Sequence, residues 1–170
     1  PAGLPGLDIH GFAVDPDDPR RLFAAIAGQG LYSSSDGGRT FALISQEIGP
    51  DVMALAVLPD GTLLAGDMTR RLLAVSKDNG RRWRGVVRAQ IMGLAVAPRN
   101  GRRILASGPG VLLSLDGGAT WRQTLRIDSG SGPIAWAPGN PRIAYVVGLD
   151  RSLYRSNDRG ATWTRILRGT

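Results

Sequence analysis

The sequence predicts an all-β protein built from four repeats, and three observations support this prediction. One pattern recurs four times: a serine, an aspartate two residues later, a glycine two residues after that, and an aromatic residue three residues further on. Its aspartates are separated by 42, 38 and 42 residues and are Asp36, Asp78, Asp116 and Asp158. Short apolar runs that alternate with a period of two lie between these patterns, as expected of strands. The 24 glycines and 11 prolines suit many short strands joined by tight turns.

A repeat near 40 residues that contains four short strands is the signature of a propeller blade. We therefore expect a β-propeller, or half of one, as a single domain of residues 1–170 with blades at 7–46, 50–88, 90–127 and 131–168. Four blades permit a small closed ring, two half-rings paired as an eight-bladed homodimer, or part of a longer propeller. The homodimer is favoured, because it would cover both exposed end faces.

The strands of each blade are named A to D in chain order. Strand A is predicted at 9–14, 52–57, 91–96 and 133–136, and each run ends in a proline turn. In the first of these, Gly11 and Ala13 alternate with the larger Phe12 and Val14, which suits a crowded innermost strand. Strand B is predicted at 22–26, 62–65, 103–106 and 143–147. Strand C leads into the repeated pattern, and strand D contains its aromatic residue.

The repeated segments, which we call the aspartate turns, join strand C to strand D at residues 34–41, 76–83, 114–121 and 156–163. The aspartate can accept backbone N–H groups inside the turn, and the glycine after it supplies a positive φ. The aromatic residue can anchor the turn on the blade. Each turn has one carboxylate, too few for a calcium site, so we predict a structural role for Asp36, Asp78, Asp116, Asp158, Trp83, Trp121 and Trp163.

These turns, with the first repeat from His10 to Gly38, resemble the Asp-box (BNR) repeat superfamily of β-propellers. The resemblance covers nearly the whole chain. That superfamily includes sialidases, sortilin-type receptors, xyloglucan hydrolases and photosystem II assembly factors. The resemblance implies the propeller fold and favours an extracytoplasmic location. It implies no single activity, since the fold serves enzymes, receptors and assembly factors alike. Phe41 in place of tryptophan and Arg82 in place of threonine depart from the pattern, with an expected cost in local packing.

The amino-acid composition excludes some kinds of binding site and favours one class of partner. The chain has no cysteine, which excludes disulfides and thiolate metal sites, and no apolar run approaches the ~20 residues of a membrane-spanning helix. The 21 basic residues against 14 acidic ones give a net charge of +7, which favours anionic partners. Aromatic residues do not interleave with the basic ones, so nucleic acid is not the expected partner. No cofactor motif is present.

The residues expected to bind a ligand lie in the loops between blades and between strands B and C, because those loops share one face of a propeller. We predict a ligand face of His10, Gln29, Asp51, Met53, Arg70, Arg71, Gln90, Met92, Asp150 and Arg151. A non-catalytic module that binds a protein or glycan partner there is the favoured function.

Two alternatives use residues of the same face. A glycoside hydrolase needs a pair of carboxylates, for which the candidates are Asp8, Glu47, Asp51 and Asp67. The arginine cluster and the glutamate-backed tyrosine of sialidases are not evident. Alternatively, His10, Met53 and Met92 offer soft ligands for Cu(I), although methionines more often fill gaps in packing. His10 is the only histidine, so nucleophilic triads are excluded.

Overall fold

The computed structural model describes residues 3, 4, 6, 8–48 and 51–169. Their regular structure consists of strands, arranged as four separate four-stranded antiparallel sheets. The expected blade starts at residues 7 and 50 lie outside the described residues. The described part of the chain contains no helix with the length and hydropathy needed to cross a bilayer.

Each sheet is one blade whose strands pair in chain order. Blade 1 contains β1 (Ile9–Val14), β2 (Leu22–Ile26), β3 (Gly30–Ser34) and β4 (Ala42–Ser45). Blade 2 contains β5 (Val52–Val57), β6 (Leu63–Asp67), β7 (Leu72–Ser76) and β8 (Arg84–Val87). Blade 3 contains β9 (Gly93–Ala97), β10 (Asn100–Gly108), β11 (Gly110–Ser114) and β12 (Arg122–Arg126). Blade 4 contains β13 (Ser131–Ala137), β14 (Asn140–Gly148), β15 (Leu153–Ser156) and β16 (Thr164–Leu167).

The predicted strands of the first blade agree with the structure more closely than those of the last two. Strands β1, β2 and β5 have the predicted bounds, whereas β10 and β14 are nine residues long. One prediction was wrong in detail: the aromatic residue of each aspartate turn stands immediately before strand D and not within it.

The chain divides into two compact units, residues 1–88 with blades 1 and 2 and residues 89–170 with blades 3 and 4. In the first unit, Gly11 of β1 approaches β5 so closely that an added Cβ would lie 2.9 Å from the Val52 carbonyl oxygen and 3.2 Å from Leu55 Cβ. In the second unit, a Cβ on Gly93 would lie 3.2 Å from a methyl of Ile134. Small residues on one strand A therefore make room for large residues on the strand A of the next blade.

Each unit has its own apolar core at this junction. Phe23, Leu31 and Leu63 are fully buried in the first, and Leu105, Leu113 and Val146 in the second. The indole of Trp136 closes the second core, where its Nε1 donates to the Ala95 carbonyl oxygen at 3.0 Å. The alternation of small and large residues thus allows the strands A of neighbouring blades to pack closely.

The aspartate turns close the strand C to strand D hairpins with the same Oδ1 and serine bonds in all four blades, and three of them add a threonine hydroxyl bond to Oδ2 that blade 2, with Arg82 in place of threonine, lacks. In blade 3, Asp116 Oδ1 accepts from the Ser114 hydroxyl at 2.8 Å and from the Thr120 backbone N–H at 2.9 Å. Its Oδ2 accepts from the Thr120 hydroxyl at 2.5 Å, and the Gly118 N–H donates to the Ser114 hydroxyl at 2.8 Å. One carboxylate therefore replaces the backbone partners that the seven-residue connection between strands C and D lacks.

The aromatic residues anchor the turns in two ways. Trp83 and Trp121 each donate from Nε1 to the carbonyl oxygen of the glycine in their own turn, at 2.9 Å. Trp163 instead donates to the Thr124 hydroxyl of the preceding blade, at 3.1 Å. The last turn is therefore bonded to its neighbour, whereas the turns of blades 2 and 3 are closed on themselves.

We expect Asp116→Ala to lower the free energy of unfolding by about 1–2 kcal/mol, because it deletes several hydrogen bonds at once. Chemical denaturation followed by circular dichroism measures this loss. Asp128→Ala is the matched control, since Asp128 is highly exposed and pairs only with the exposed Arg126. Equal effects of the two substitutions would contradict a structural role for the turn.

We also expect stability to fall in acid. The hydrogen bond from the Thr120 hydroxyl lowers the pKa of Asp116 to about 2, against 3.8 for the free side chain. A lowered pKa stabilises the folded state above the unfolded pKa and loses that contribution as pH falls through the folded value. The free energy of unfolding should therefore decline between about pH 4 and pH 2, and by less in Asp116→Asn. Identical pH profiles of the two proteins would argue against this.

Candidate functional site

Three polar side chains meet at the start of strand A in blades 1 and 2, and we call them the histidine bridge: Asp8, His10 and Asp51. His10 Nδ1 lies 2.7 Å from Asp51 Oδ1, and His10 Nε2 lies 2.9 Å from Asp8 Oδ1. His10 belongs to β1, while Asp51 immediately precedes β5. The imidazole therefore joins two neighbouring blades, with one carboxylate on each ring nitrogen.

The histidine bridge is accessible and charged. The side chains of His10, Asp51 and Asp8 are 30%, 40% and 72% exposed. The hydrogen bond to Asp51 raises the pKa of His10 above its usual 6.5, and the charge of Asp8 adds to the effect. In the folded protein the imidazolium is therefore favoured, and both ring nitrogens act as donors.

A second polar group lies in the same unit, on the turn between β6 and β7. The backbone N–H of Arg70 donates to Asp67 Oδ1 at 2.8 Å, and the Arg70 guanidinium lies 3.8 Å from Asp67 Oδ2. The same guanidinium donates to the Glu47 carbonyl oxygen. Asp67 is fully buried. Arg70 is therefore oriented by a buried carboxylate and ties this turn to the loop that enters blade 2.

The remaining predicted residues of the first unit lie on its loops and strand ends. Gln29 stands in the turn before β3, where its carbonyl oxygen accepts from Gln46 at 3.4 Å. Arg71 adopts a left-handed backbone conformation with φ of 53°. Met53 is half-buried within β5. The structure thus brings His10, Asp51 and Asp8 into contact, and separately joins Arg70 to Asp67.

In the second unit, the predicted residues Gln90 and Met92 precede β9, and the Met92 N–H donates to the Ser107 carbonyl oxygen at 2.9 Å. Asp150 and Arg151 form the turn between β14 and β15, where Asp150 Oδ1 accepts from the Ser152 N–H at 3.0 Å. None of these four residues is a histidine, so the arrangement of two carboxylates on one imidazole is not repeated among them.

The geometry bears on the two chemical alternatives. A hydrolase would use one protonated and one ionised carboxyl group around a substrate, whereas Asp8 and Asp51 hold the same imidazole. A copper site on His10 would need to displace one of these carboxylates, since each ring nitrogen already has one as its partner. Among the described residues, no three His, Asp or Glu side chains are placed to hold a metal ion.

The sequence analysis missed the arginines at the opposite end of the second unit, beside the aspartate turns. We call this group the arginine edge: Arg102, Arg103, Arg122, Arg142 and Arg159. Arg103 donates to the Arg159 carbonyl oxygen at 3.0 Å, so a side chain of blade 3 meets the backbone of blade 4 here. An arginine at position 159, where two other aspartate turns have glycine, was the available signal.

We expect Asp51→Asn to lower the pKa of His10 towards 6.5, and by more than Asp8→Asn does, since the Asp51 hydrogen bond is the largest cause of the shift. Titration of the His10 ring proton by NMR measures both values. A raised histidine pKa stabilises the fold below about 6.5 and loses that contribution as pH rises through the folded value. An unchanged pKa in Asp51→Asn would contradict the bridge.

Comparison with known proteins gives the fold alone. No model of a protein family matches the sequence, and no curated protein is significantly similar to it. Among solved structures, an ancestral GH74 enzyme superposes with a TM-score of 0.82 at 20% identity, over 97% of this chain and 24% of its own. The WD40 repeats of RRP9 superpose with a TM-score of 0.71 at 17% identity, over 95% of this chain and 51% of theirs.

A third similar structure is that of YCF48 bound to a D1 peptide, with a TM-score of 0.62 at 18% identity over 86% of this chain and 50% of its own. The chain thus spans about a quarter of the GH74 enzyme and half of the other two proteins. WD40 repeats form four-stranded propeller blades. With four such sheets and these structural neighbours, the chain has the fold of the repeat β-propeller proteins.

Proposed function

We propose that this protein is a non-catalytic module that binds a partner protein at the histidine bridge of blades 1 and 2. The observation that carries the proposal is an exposed imidazole held between two carboxylates, one at the start of strand A in each blade. Such a group presents fixed acceptors beside a rigid strand, and binding residues commonly lie on loops that a rigid scaffold positions. Exposed oxygens of Asp8 remain available to donors of a partner.

Charge supports a polar or basic segment of the partner at this position. The two carboxylates outnumber the single imidazolium, so the histidine bridge carries net negative charge when all three groups are ionised. Arg70 and Arg71 lie in the same unit as the histidine bridge, and their guanidinium groups can donate hydrogen bonds to acceptor groups of the ligand. The similar YCF48 structure contains a bound peptide, which is a property of that protein and a precedent for this fold.

Glycoside hydrolysis is the alternative, since GH74 enzymes share the fold. It receives less support from the site, because the exposed carboxylates Asp8 and Asp51 are both bonded to His10, and Asp67 is buried and bonded to Arg70. A glycan ligand without turnover would fit the same exposed acceptors.

A random peptide library tests the proposal. Peptides selected on the wild-type protein should bind His10→Ala and Asp51→Asn at least about tenfold more weakly, as expected when a charged hydrogen-bonding group is removed from a contact. Asp128→Asn, which changes an exposed carboxylate of the other unit, should bind them as the wild type does. Peptides that tolerate both bridge substitutions would place binding elsewhere.

A panel of sialylated and xyloglucan oligosaccharides separates the two functions. We expect no hydrolysis by the wild-type protein. Turnover that disappears in Asp8→Asn or Asp51→Asn while glycan binding persists would establish the hydrolase in place of the binding module.

The end face of blade 1 supports a homodimer as a further part of the proposal. Phe12 and Val14 of β1 are 52% and 46% exposed, whereas Leu55 and Val57 at the same positions of β5 are buried. Exposed side chains of this size on the flat face of a sheet favour coverage by another blade, here one of a second copy.

Light scattering across a concentration series should therefore give a mass of twice 18.0 kDa, and Phe12→Asp should shift it towards the monomer. Leu115→Asp is the matched control, because Leu115 is 50% exposed but lies in an aspartate turn. A monomer at every concentration would exclude the homodimer and leave the peptide site in place.

A further inference from the structure

The net charge of the chain resides in its second unit. Residues 1–88 contain ten basic and ten acidic residues, whereas residues 89–170 contain eleven arginines and four acidic residues and so account for the whole +7. The repeat places these arginines at positions that can be compared directly with those of blade 1. In the second unit, several of these arginines stand at the positions of blade 1 without the carboxylate partners that blade 1 has.

In blade 1, each arginine beside the first turn has a carboxylate partner. Asp18 Oδ1 accepts from the backbone N–H of Arg20 at 3.1 Å and from its Nε at 3.2 Å. Asp15 Oδ2 accepts from Arg21 at 3.0 Å, and the other end of that guanidinium donates to Asn79 Oδ1 at 2.5 Å. Both charges are therefore balanced within the unit.

In blades 3 and 4, the same turns keep their geometry but not their carboxylates. Asn100 Oδ1 accepts from the Arg102 N–H at 3.2 Å, and Asn140 Oδ1 accepts from the Arg142 N–H at 3.0 Å, as Asp18 does for Arg20. The amide oxygen thus accepts the backbone hydrogen bond, but because it carries no charge it does not neutralise the guanidinium. Ala97, which precedes the proline of its turn as Asp15 does in blade 1, removes the partner of Arg103 as well.

The neighbour of Arg103 is Arg159, which is also positively charged and so does not balance the charge of Arg103. Arg103 donates to the Arg159 carbonyl oxygen at 3.0 Å, at the place where Arg21 meets neutral Asn79 in the first unit. Burial and the nearby charges of Arg159 and Arg122 lower the pKa of Arg103. Within residues 89–169, none of the five arginines of the arginine edge has a carboxylate oxygen within 4 Å, whereas Arg126, outside this group, pairs with Asp128.

Arg159 also occupies a backbone position that suits glycine. Its φ is 66°, and the equivalent residues of blades 1 and 3 are Gly37 and Gly117, with φ of 74° and 77°. A non-glycine residue in this region is strained, and arginine, unlike asparagine, does not compensate through a local hydrogen bond of its side chain. The exposed guanidinium of Arg159 is therefore retained against a local cost in stability.

We propose that the arginine edge binds a ligand carrying several phosphate or sulfate groups. Guanidinium groups match the tetrahedral oxyanions of such ligands through paired N–H donors, and a cluster without internal counter-charge gains most from an external one. The indole N–H groups of Trp121 and Trp163 already donate to protein acceptors, so the donors that the site offers to an anion are the guanidinium groups. The site is confined to residues 89–170 and is independent of the histidine bridge.

Isothermal titration with inorganic tripolyphosphate at low ionic strength tests this proposal. The wild-type protein should bind it, and Asn100→Asp with Asn140→Asp should weaken binding about tenfold or more, because each aspartate restores the pairing seen in blade 1. The double variant should fold normally, since blade 1 has aspartate at the equivalent position. Arg159→Gly should also weaken binding while leaving the thermal midpoint equal or higher.

Arg20→Ala and Arg21→Ala are the matched controls, because they remove the equivalent arginines of blade 1. They should bind tripolyphosphate as the wild type does; a loss equal to that of Arg159→Gly would show that only net charge matters and would overturn the site. Absence of wild-type binding would overturn it too. Sucrose octasulfate identifies a sulfated ligand if it binds more tightly than tripolyphosphate. Binding of a single-stranded oligonucleotide with no binding of either small probe would overturn the assigned ligand class.

Discussion

The hydrogen bonds of one carboxylate hold each blade together. Asp116 and its three equivalents accept from a serine hydroxyl behind them and from a backbone N–H ahead of them, which closes the outermost hairpin. Because the hairpin is closed, strand D has a fixed register, and the inner strands are free to satisfy the packing between blades. The contact of Gly11 with β5 and that of Gly93 with Ile134 are then possible without distortion.

The sequence predicted the blades because their determinants are local. The aspartate turns, the proline turns and the alternation of small and large residues each act within about ten residues. The sequence could not predict which polar side chains meet, since the distance between His10 and Asp51 depends on the packing of β1 against β5. It also missed the arginine edge, because Asn100 and Asn140 are informative only when their carbonyl oxygens are seen in the role of Asp18.

The histidine bridge and the arginine edge differ in how the charges on the same repeated backbone are balanced. At the histidine bridge, the loops that enter blades 1 and 2 supply acids that enclose a cation. At the arginine edge, the repeat keeps the hydrogen bonds that shape its turns and omits the acids that would balance the charge. Function on this fold can therefore be altered by exchanging aspartate for asparagine, with little effect on the backbone.

The bond from Trp163 to Thr124 has a consequence for the order in which the second unit loosens. The outer strands of a blade ordinarily open before its inner strands, since fewer contacts hold them. Here the hairpin of β15 and β16 cannot detach without giving up an indole contact with blade 3. Amide exchange in β15 and β16 should consequently be coupled to exchange in β12, so that the two blades open as one cooperative segment.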